Sequence, residues 1–398
     1  MKLPELVAPA GNLERLRFAL DFGADAVYIG GKSFSLRAGA QNFTFDEMAE
    51  GIRYAHLKGR KVYITLNIFA RNKDIDSLRS FAKEVANLKP DAFIVSDLGV
   101  LEVVREVADK VEIHMSTQAN ITNYQAVKVL AGLGVKRVVL ARELSLEEIA
   151  QIKEKVAGVE LEVFVHGAMC MAYSGRCLLS LYLTGRNANK GECPQCCRWR
   201  YYLVEEKRRG ELFPVEQNGR GTYILSSKDL CALPLLPELV KVGVDALKIE
   251  GRNKSVYYTA ITTGTYRKAL NLLQAGEKVF FNELPSLMQE LESVSHRTYT
   301  AGFLKEGDPL QEWKNPGYVR RYTLLAVCRN KRWLVRNRLQ AGDEVELVLP
   351  GLKVVKTAVA SIWHRDEKVQ VAHPNNVVSI EFTPAQKPVE GALLRKKV

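Results

Sequence analysis

The chain has 398 residues, 47% hydrophobic and 26% charged, the composition of a soluble globular protein with room for two domains. It contains no run of eighteen apolar residues, and its start, MKLPELVAPAGN, lacks the apolar core and cleavage site of a secretion signal. A helical membrane span is therefore excluded and a cytoplasmic location expected. Fifty-seven basic residues against 45 acidic ones give a net charge of +12, which fits a polyanionic partner or a merely basic surface.

The first 250 residues alternate short apolar runs with amphipathic stretches. Strands are expected at Leu6–Ala8, Ala26–Ile29, Lys61–Leu66, Ala92–Val95, Glu112–Met115, Arg137–Leu140, Leu161–Val165 and Ala246–Glu250. Periodic segments such as Leu13–Phe22, Phe45–Leu57 and Leu146–Lys155 lie between them. The phrase helix, glycine, strand recurs as FGADAVYIG, LGVKRVVLA and VGVDALKIEG, a weak internal repeat. Eight such units predict an α/β fold, a (β/α)8 TIM-like barrel; an open doubly wound sheet is the alternative. APAGN has too few glycines for a dinucleotide fingerprint. Polar residues gather past the strand ends, the active face of such a barrel: Asn12, Asn67, Asp97, Gln118, Arg142, His166 and Glu250.

The barrel domain spans 1–275 and carries an insertion at 166–244, too long for a plain connection. A helical and linker segment, 276–320, follows, with Pro285 in its first half. From 321 to 398 the pattern turns to period two (YTLLAVC, RWLVRNR, EVELVLP, VVKTAVASIW, VVSIEF), which predicts a small antiparallel β-barrel. Arg198, Arg200, Lys207, Arg208 and Arg209 form one basic cluster. Arg320, Arg321, Arg329, Lys331, Arg332, Arg336 and Arg338 form another, with Tyr201, Tyr202, Tyr322 and Trp333 among them as stacking platforms or core aromatics.

Six of the seven cysteines fall in the insertion: Cys170, Cys177, Cys193, Cys196, Cys197 and Cys231. Thiolates gathered this way suit a metal, either zinc in a closed tetrahedral site or an iron–sulfur cluster; free buried thiols are the alternative. Cys193 and Cys197 are four apart, so one helical turn places both on one face. Arg176, Lys190 and Arg198 are expected to lower the thiol pKa values. Cys328 reads as a core residue.

The stretch Glu162-V-Phe164-V-H-Gly167-A-M-Cys170-M-A-Y-S-Gly175-R-Cys177-L-L-Ser180 resembles the signature of the collagenase-like peptidase family U-32. APAGN, GADAVYIG, FSLRAGAQNF, KIEGR and HRTYTAGFL agree with it over about 300 residues, and the C-terminal part resembles a domain appended in longer members. Through Cys-x-x-x-Cys-Arg-Trp, SKDL and that domain, the chain is most similar to the branch that hydroxylates tRNA. The resemblance implies an oxygen-independent enzyme making 5-hydroxyuridine at the wobble position. It further implies a 4Fe-4S cluster on Cys170, Cys177, Cys193 and Cys197, with Cys196 and Cys231 as alternates, and prephenate as a small carboxylate co-substrate. A partner chain of the same family is an added expectation, since related quinone-pathway proteins act as a pair.

Candidate catalytic residues are His166, Arg142, Lys248 and Glu250. Arg142, Lys248 or Arg252 can grip a carboxylate, while Lys248 and Glu250 can equally form a structural ion pair. Two other functions compete. In a peptidase, His166 and Cys170, at i and i+4, would meet on a helix as base and nucleophile. The third is an RNA-binding scaffold around structural zinc.

Overall fold

The computed structural model describes residues 2–37, 40–170, 172–199, 227–307 and 317–398. Contacts divide the chain into two compact units. One comprises Met1–Arg17, Asp25–Lys254 and Arg297–Tyr318; the other comprises Phe18–Ala24, Ser255–His296 and Val319–Val398.

In the first unit, strands β1 (Glu5–Pro9), β2 (Ala26–Gly30), β3 (Lys61–Leu66), β4 (Ala92–Val95), β5 (Glu112–Met115), β6 (Arg137–Val139) and β7 (Glu160–Ala168) pair in parallel, each with the next. After β8 (Asp229–Cys231), strand β9 (Ala246–Ile249) pairs in parallel with both β7 and β1 and closes an eight-stranded barrel. All eight expected strands are present, and the closed ring excludes the open sheet. The strands hold because they are apolar on both faces: β2 and β4 are buried throughout.

Between them run α1 (Leu13–Asp21), α2 (Phe45–Leu57), α3 (Asn72–Ala86), α4 (Leu98–Val107), α5 (Tyr124–Gly132), α6 (Leu146–Lys155), the short α7 (Leu179–Thr184) and α8 (Leu236–Val242). Their starts are written in the sequence. Thr44 with Glu47 and Ser145 with Glu148 form capping boxes, and Asp97 and Asn123 cap α4 and α5. Each such cap stabilises its helix by about 1 kcal/mol. The repeated glycine after a helix serves one purpose: Gly23, Gly134 and Gly243 all take positive φ, turning the chain sharply into the next strand.

The second unit begins with α9 (Val256–Ala275) and α10 (Glu277–Ser293). Within the expected helical and linker segment, α10 runs as a continuous helix through Pro285. Its buried Phe280, Leu287 and Leu291 lie on one face, so packing outweighs the lost proline donor. Farther on, β10 (Tyr299–Thr300) belongs to the first unit, where it extends β8. The remaining strands are β11 (Tyr322–Arg329), β12 (Arg332–Val335), β13 (Leu339–Gln340), β14 (Glu344–Leu349), β15 (Lys353–His364), β16 (Glu367–Val369), β17 (Val371–Ala372), β18 (Val377–Thr383) and β19 (Leu393–Lys397). Six of them close an antiparallel barrel in the order β14, β19, β11, β12, β18, β15 and back to β14, as expected. Its core packs Trp333 edge-on against Phe382, with Cys328 buried among aliphatics. Arg395, buried in this unit, binds Glu290 and Glu346 and the hydroxyl of Tyr257.

Among the described residues, no helix is long and apolar enough to cross a membrane. Trp333 and Tyr322 are structural, the first as core and the second beneath the Arg395 guanidinium. Arg329 is tied to Asp21 and Glu390, and Arg321 to Glu292. Lys331, Arg332 and Arg338 are exposed. Arg200, Tyr201, Tyr202, Lys207, Arg208 and Arg209 lie outside the described residues.

Candidate active site

A pocket of about 500 Å³, counting its open mouth, lies in the first unit. Tyr28, Thr65, Phe164 and Lys248 line it from the strands, and Arg37, Asn67, Gln118, Arg142, Glu250 and Arg252 from the segments just past them. Four of the polar positions expected at the strand ends are thus brought together: Asn67, Gln118, Arg142 and Glu250. Asn12 and Asp97 instead cap α1 and α4. Arg37, Tyr28 and Thr65 escaped the sequence reading, although FSLRAG contains Arg37.

Arg252 is 3% exposed, and its Nη1 donates to Ser35 Oγ and Thr65 Oγ1, each at 2.8 Å. Neither acceptor is charged, and among the described residues no carboxylate lies within ion-pair distance of it. Burial, with the nearby charge of Arg37 adding to it, takes this guanidinium down to about 10 against the opposing pull of Tyr28 and Glu250. Its seat explains two glycines of the N-terminal motifs. A Cβ on Gly30 would stand 2.2 Å from Arg252 Nη1, and one on Gly11 would stand 2.1 Å from the Arg252 carbonyl. Arg142 donates Nη1 to the Ala168 carbonyl at 2.8 Å and stacks 4.0 Å from the Phe164 ring centre, leaving its buried Nε without an acceptor. Burial lowers its pKa, with Glu250 offsetting in part. Arg37 donates Nε and Nη2 to Glu250 Oε1 at 3.3 Å. Arg37 and Arg142 outweigh burial and hold the Glu250 carboxyl below its ordinary value.

Lys248 does not pair with Glu250. Its Nζ lies 2.5 Å from Glu162 Oε1, and Glu162 Oε2 is 3.1 Å from Arg137 Nη1. Arg137 continues to Glu5 at 2.7 Å and Glu160 at 2.6 Å, and Glu5 to Lys61 at 3.1 Å. A ladder of alternating charge therefore runs inside the barrel from the pocket to the first residues of β1, β3 and β7. Burial raises Glu5, but Arg137 and Tyr63 outweigh it and leave the carboxyl at about 2. Burial lowers Lys248, and Glu162 only partly restores it.

The cysteine-rich insertion begins differently from expectation. Strand β7 runs to Ala168, so His166 is a buried strand residue, opposite Cys231 on antiparallel β8 and 5.3 Å from the Tyr299 ring. Cys170 lies beyond the strand and is exposed. The two share no helical face, which removes the geometry on which a histidine–cysteine peptidase pair was expected. Cys193 and Cys197 share no α-helical turn either. Gln195 takes positive φ, and a single 3-10 turn covers Cys196–Arg198.

Five thiols nevertheless lie near enough to act on one another electrostatically. Cys197 is pushed up to about 11 by burial, against Arg198 and with the thiols of Cys170, Cys193 and Cys196 adding to it. Cys196 is raised by burial and by Cys193 and Cys177. At Cys197 the expected lowering by Arg198 is thus overridden: a desolvated thiol resists becoming a thiolate unless a cation arrives. The group adjoins the pocket, since Arg142 feels the charge of Cys170 and Arg37 that of Cys193. Gly175, at φ 74°, brings the loop so close that a Cβ would stand 2.2 Å from the Gln118 carbonyl, itself part of a pocket residue. Among the described residues no three Cys, His, Asp or Glu side chains converge as a metal site. The donor chemistry fits a soft metal group, with five thiols for four places. Cys231 is buried on β8.

The profile of peptidase family U32 matches residues 11–314, and that of its C-terminal domain residues 320–395. The chain belongs to peptidase family U32. Among relatives of this U32 chain, tRNA hydroxylation protein P1 of Bacillus subtilis is 39% identical over 395 residues, covering 96% of this chain and 92% of the relative. A 23S rRNA 5-hydroxycytidine synthase of Escherichia coli is 37% identical over 269 residues, 68% of this chain and 39% of that one. A collagenase of Porphyromonas gingivalis is 30% identical over 410 residues, 96% of each.

Proposed function

We propose that this U32 protein is an RNA-modifying enzyme that hydroxylates tRNA, forming 5-hydroxyuridine at the wobble position without molecular oxygen. The observation that carries the reading is the pocket itself. Buried guanidiniums with no carboxylate of their own stand near thiols that act on one another electrostatically. Relatives named for tRNA hydroxylation and for rRNA hydroxycytidine synthesis, at 37–39% identity, favour RNA over peptide as substrate.

Cys170, Cys177, Cys193 and Cys197 would hold a 4Fe-4S cluster, with Cys196 and Cys231 as alternates. Bound there, the cluster would supply one-electron chemistry next to the pocket. The remaining roles belong to the chain's own side chains. Arg252 and Arg142 bind the carboxylate of a small co-substrate, for which prephenate is our choice, because a guanidinium matches a carboxylate in two-point fashion. Glu250 fixes Arg37 at the rim. Tyr28 and Phe164 give the pocket apolar walls that exclude water. The target uracil leaves its stack to enter the mouth, and exposed Lys331, Arg332 and Arg338 contact phosphates.

The test is nucleoside mass analysis of tRNA from a strain without this protein. Loss of 5-hydroxyuridine, restored by the gene, is the expected result; unchanged hydroxyuridine in a strain with no second such enzyme refutes the reading. Iron and acid-labile sulfide in anaerobically purified protein should reach about four per chain. Stoichiometric zinc without sulfide would point to the scaffold instead.

A further inference from the structure

Lys248 is the second cation on Glu162. Arg137 already pairs with that carboxylate at 3.1 Å, so a second cation is not needed to satisfy it. Of the three N–H donors on the ammonium, Glu162 takes one, and among the described residues the others have no protein acceptor. The amine lines the pocket wall, 4.4 Å from the Tyr28 ring centre and 5.9 Å from that of Phe164. A lysine stripped of water between aromatic faces and close to another cation gives up its proton readily and attacks carbonyls. Burial lowers the Lys248 pKa even against the opposing pull of Glu162, with Arg137 adding to the fall, in agreement with this setting. Two guanidiniums without carboxylate partners, Arg142 and Arg252, line the same small space.

We propose that Lys248 is an imine-forming lysine and that the pocket takes a 2-oxo carboxylate, whose acid group binds the arginines while its carbonyl carbon bonds to Nζ. This rests on the reading that the pocket binds a small carboxylate such as prephenate, itself a 2-oxo acid, and adds the bond that Lys248 forms with it. The step balances without oxidant or reductant. The amine adds to the carbonyl carbon, the C=O opens to a hydroxyl, and that hydroxyl leaves as water. Both hydrogens of the water come from the ammonium, passed through Glu162, which ends as the counter-ion of the iminium.

The experiment treats the full chain with pyruvate or with prephenate, adds cyanoborohydride to reduce any imine, and maps lysine adducts by peptide mass spectrometry. The expected result is one dominant adduct at Lys248, reduced about tenfold or more in Arg252→Gln, as loss of a charged hydrogen bond to the acid group requires. No adduct at Lys248 with either acid overturns the proposal. So does labelling of Lys248 no stronger than that of exposed lysines such as Lys58 and Lys89. Trapping needs neither tRNA nor a cluster, so the two readings fail separately. A labelled Lys248 in a chain that hydroxylates no tRNA removes the function alone, and hydroxylation without labelling removes the imine alone.

Discussion

The proposed recognition of an acid turns on Arg252. It is buried against two hydroxyls that cannot neutralise it, and glycines clear its path. An acid ligand would bring the missing charge, so Arg252→Lys, which keeps the charge and loses the planar fork, should raise the co-substrate concentration for half-maximal rate about tenfold or more. A titration of initial rate shows it, and an unchanged midpoint would remove Arg252 from the site. Gly30→Ala should give the same phenotype from the other side, because its methyl group meets the guanidinium at 2.2 Å. At this scale the sequence was half legible. Asn67, Gln118, Arg142 and Glu250 could be found because they follow strands. Arg37 and Thr65 could not, since one sits in an irregular loop and the other inside an apolar strand. The partners of Lys248 were hidden for another reason: strands distant in the chain supply Glu162 and Arg137. The available signal was charge at inward positions of otherwise apolar strands, Glu5, Arg137, Glu162 and Lys248.

Among the elements, the barrel strands carry a pH-dependent part of the stability. Glu5 has a folded-state pKa of about 2 against an ordinary 4.5. A depressed carboxyl stabilises fully above its unfolded value and loses that contribution as pH falls through the folded one. Glu5 should therefore contribute about 3 kcal/mol at neutral pH, lost between about pH 4.5 and 2. Chemical denaturation across that range, compared with Glu5→Gln, checks it; equal pH slopes would contradict it. In the second unit Arg395 joins α10 to β14 through Glu290 and Glu346. Arg395→Met leaves both carboxylates partly buried and unpaired, at a cost of about 3 kcal/mol in unfolding free energy, and adding Glu290→Gln should recover part of it. All eight barrel strands and the C-terminal barrel were legible because local apolar patterns specify them. The extent of α10 was not, because Pro285 interrupts the local signal while the burial of Phe280, Leu287 and Leu291 carries the helix through it. Strand β8 is only three residues long and exists through its pairing with β7, which no local pattern announces.

For the whole molecule, the net charge of +12 fits an RNA ligand held largely through phosphates. Raising salt from about 50 to 200 mM should weaken tRNA binding about a hundredfold or more; a flat salt dependence in a filter or fluorescence assay would argue against phosphate contacts. Composition suggested this partner, but charge alone could not distinguish it from a basic surface. The measurement that reaches furthest is 5-hydroxyuridine in tRNA from cells lacking their own enzyme and supplied with this chain, wild type, Cys170→Ser or Arg252→Gln. Full restoration by the wild type and almost none by either variant, at equal soluble protein, is the expected result. Restoration by both variants, or none by an abundant, iron-loaded wild type, would contradict it.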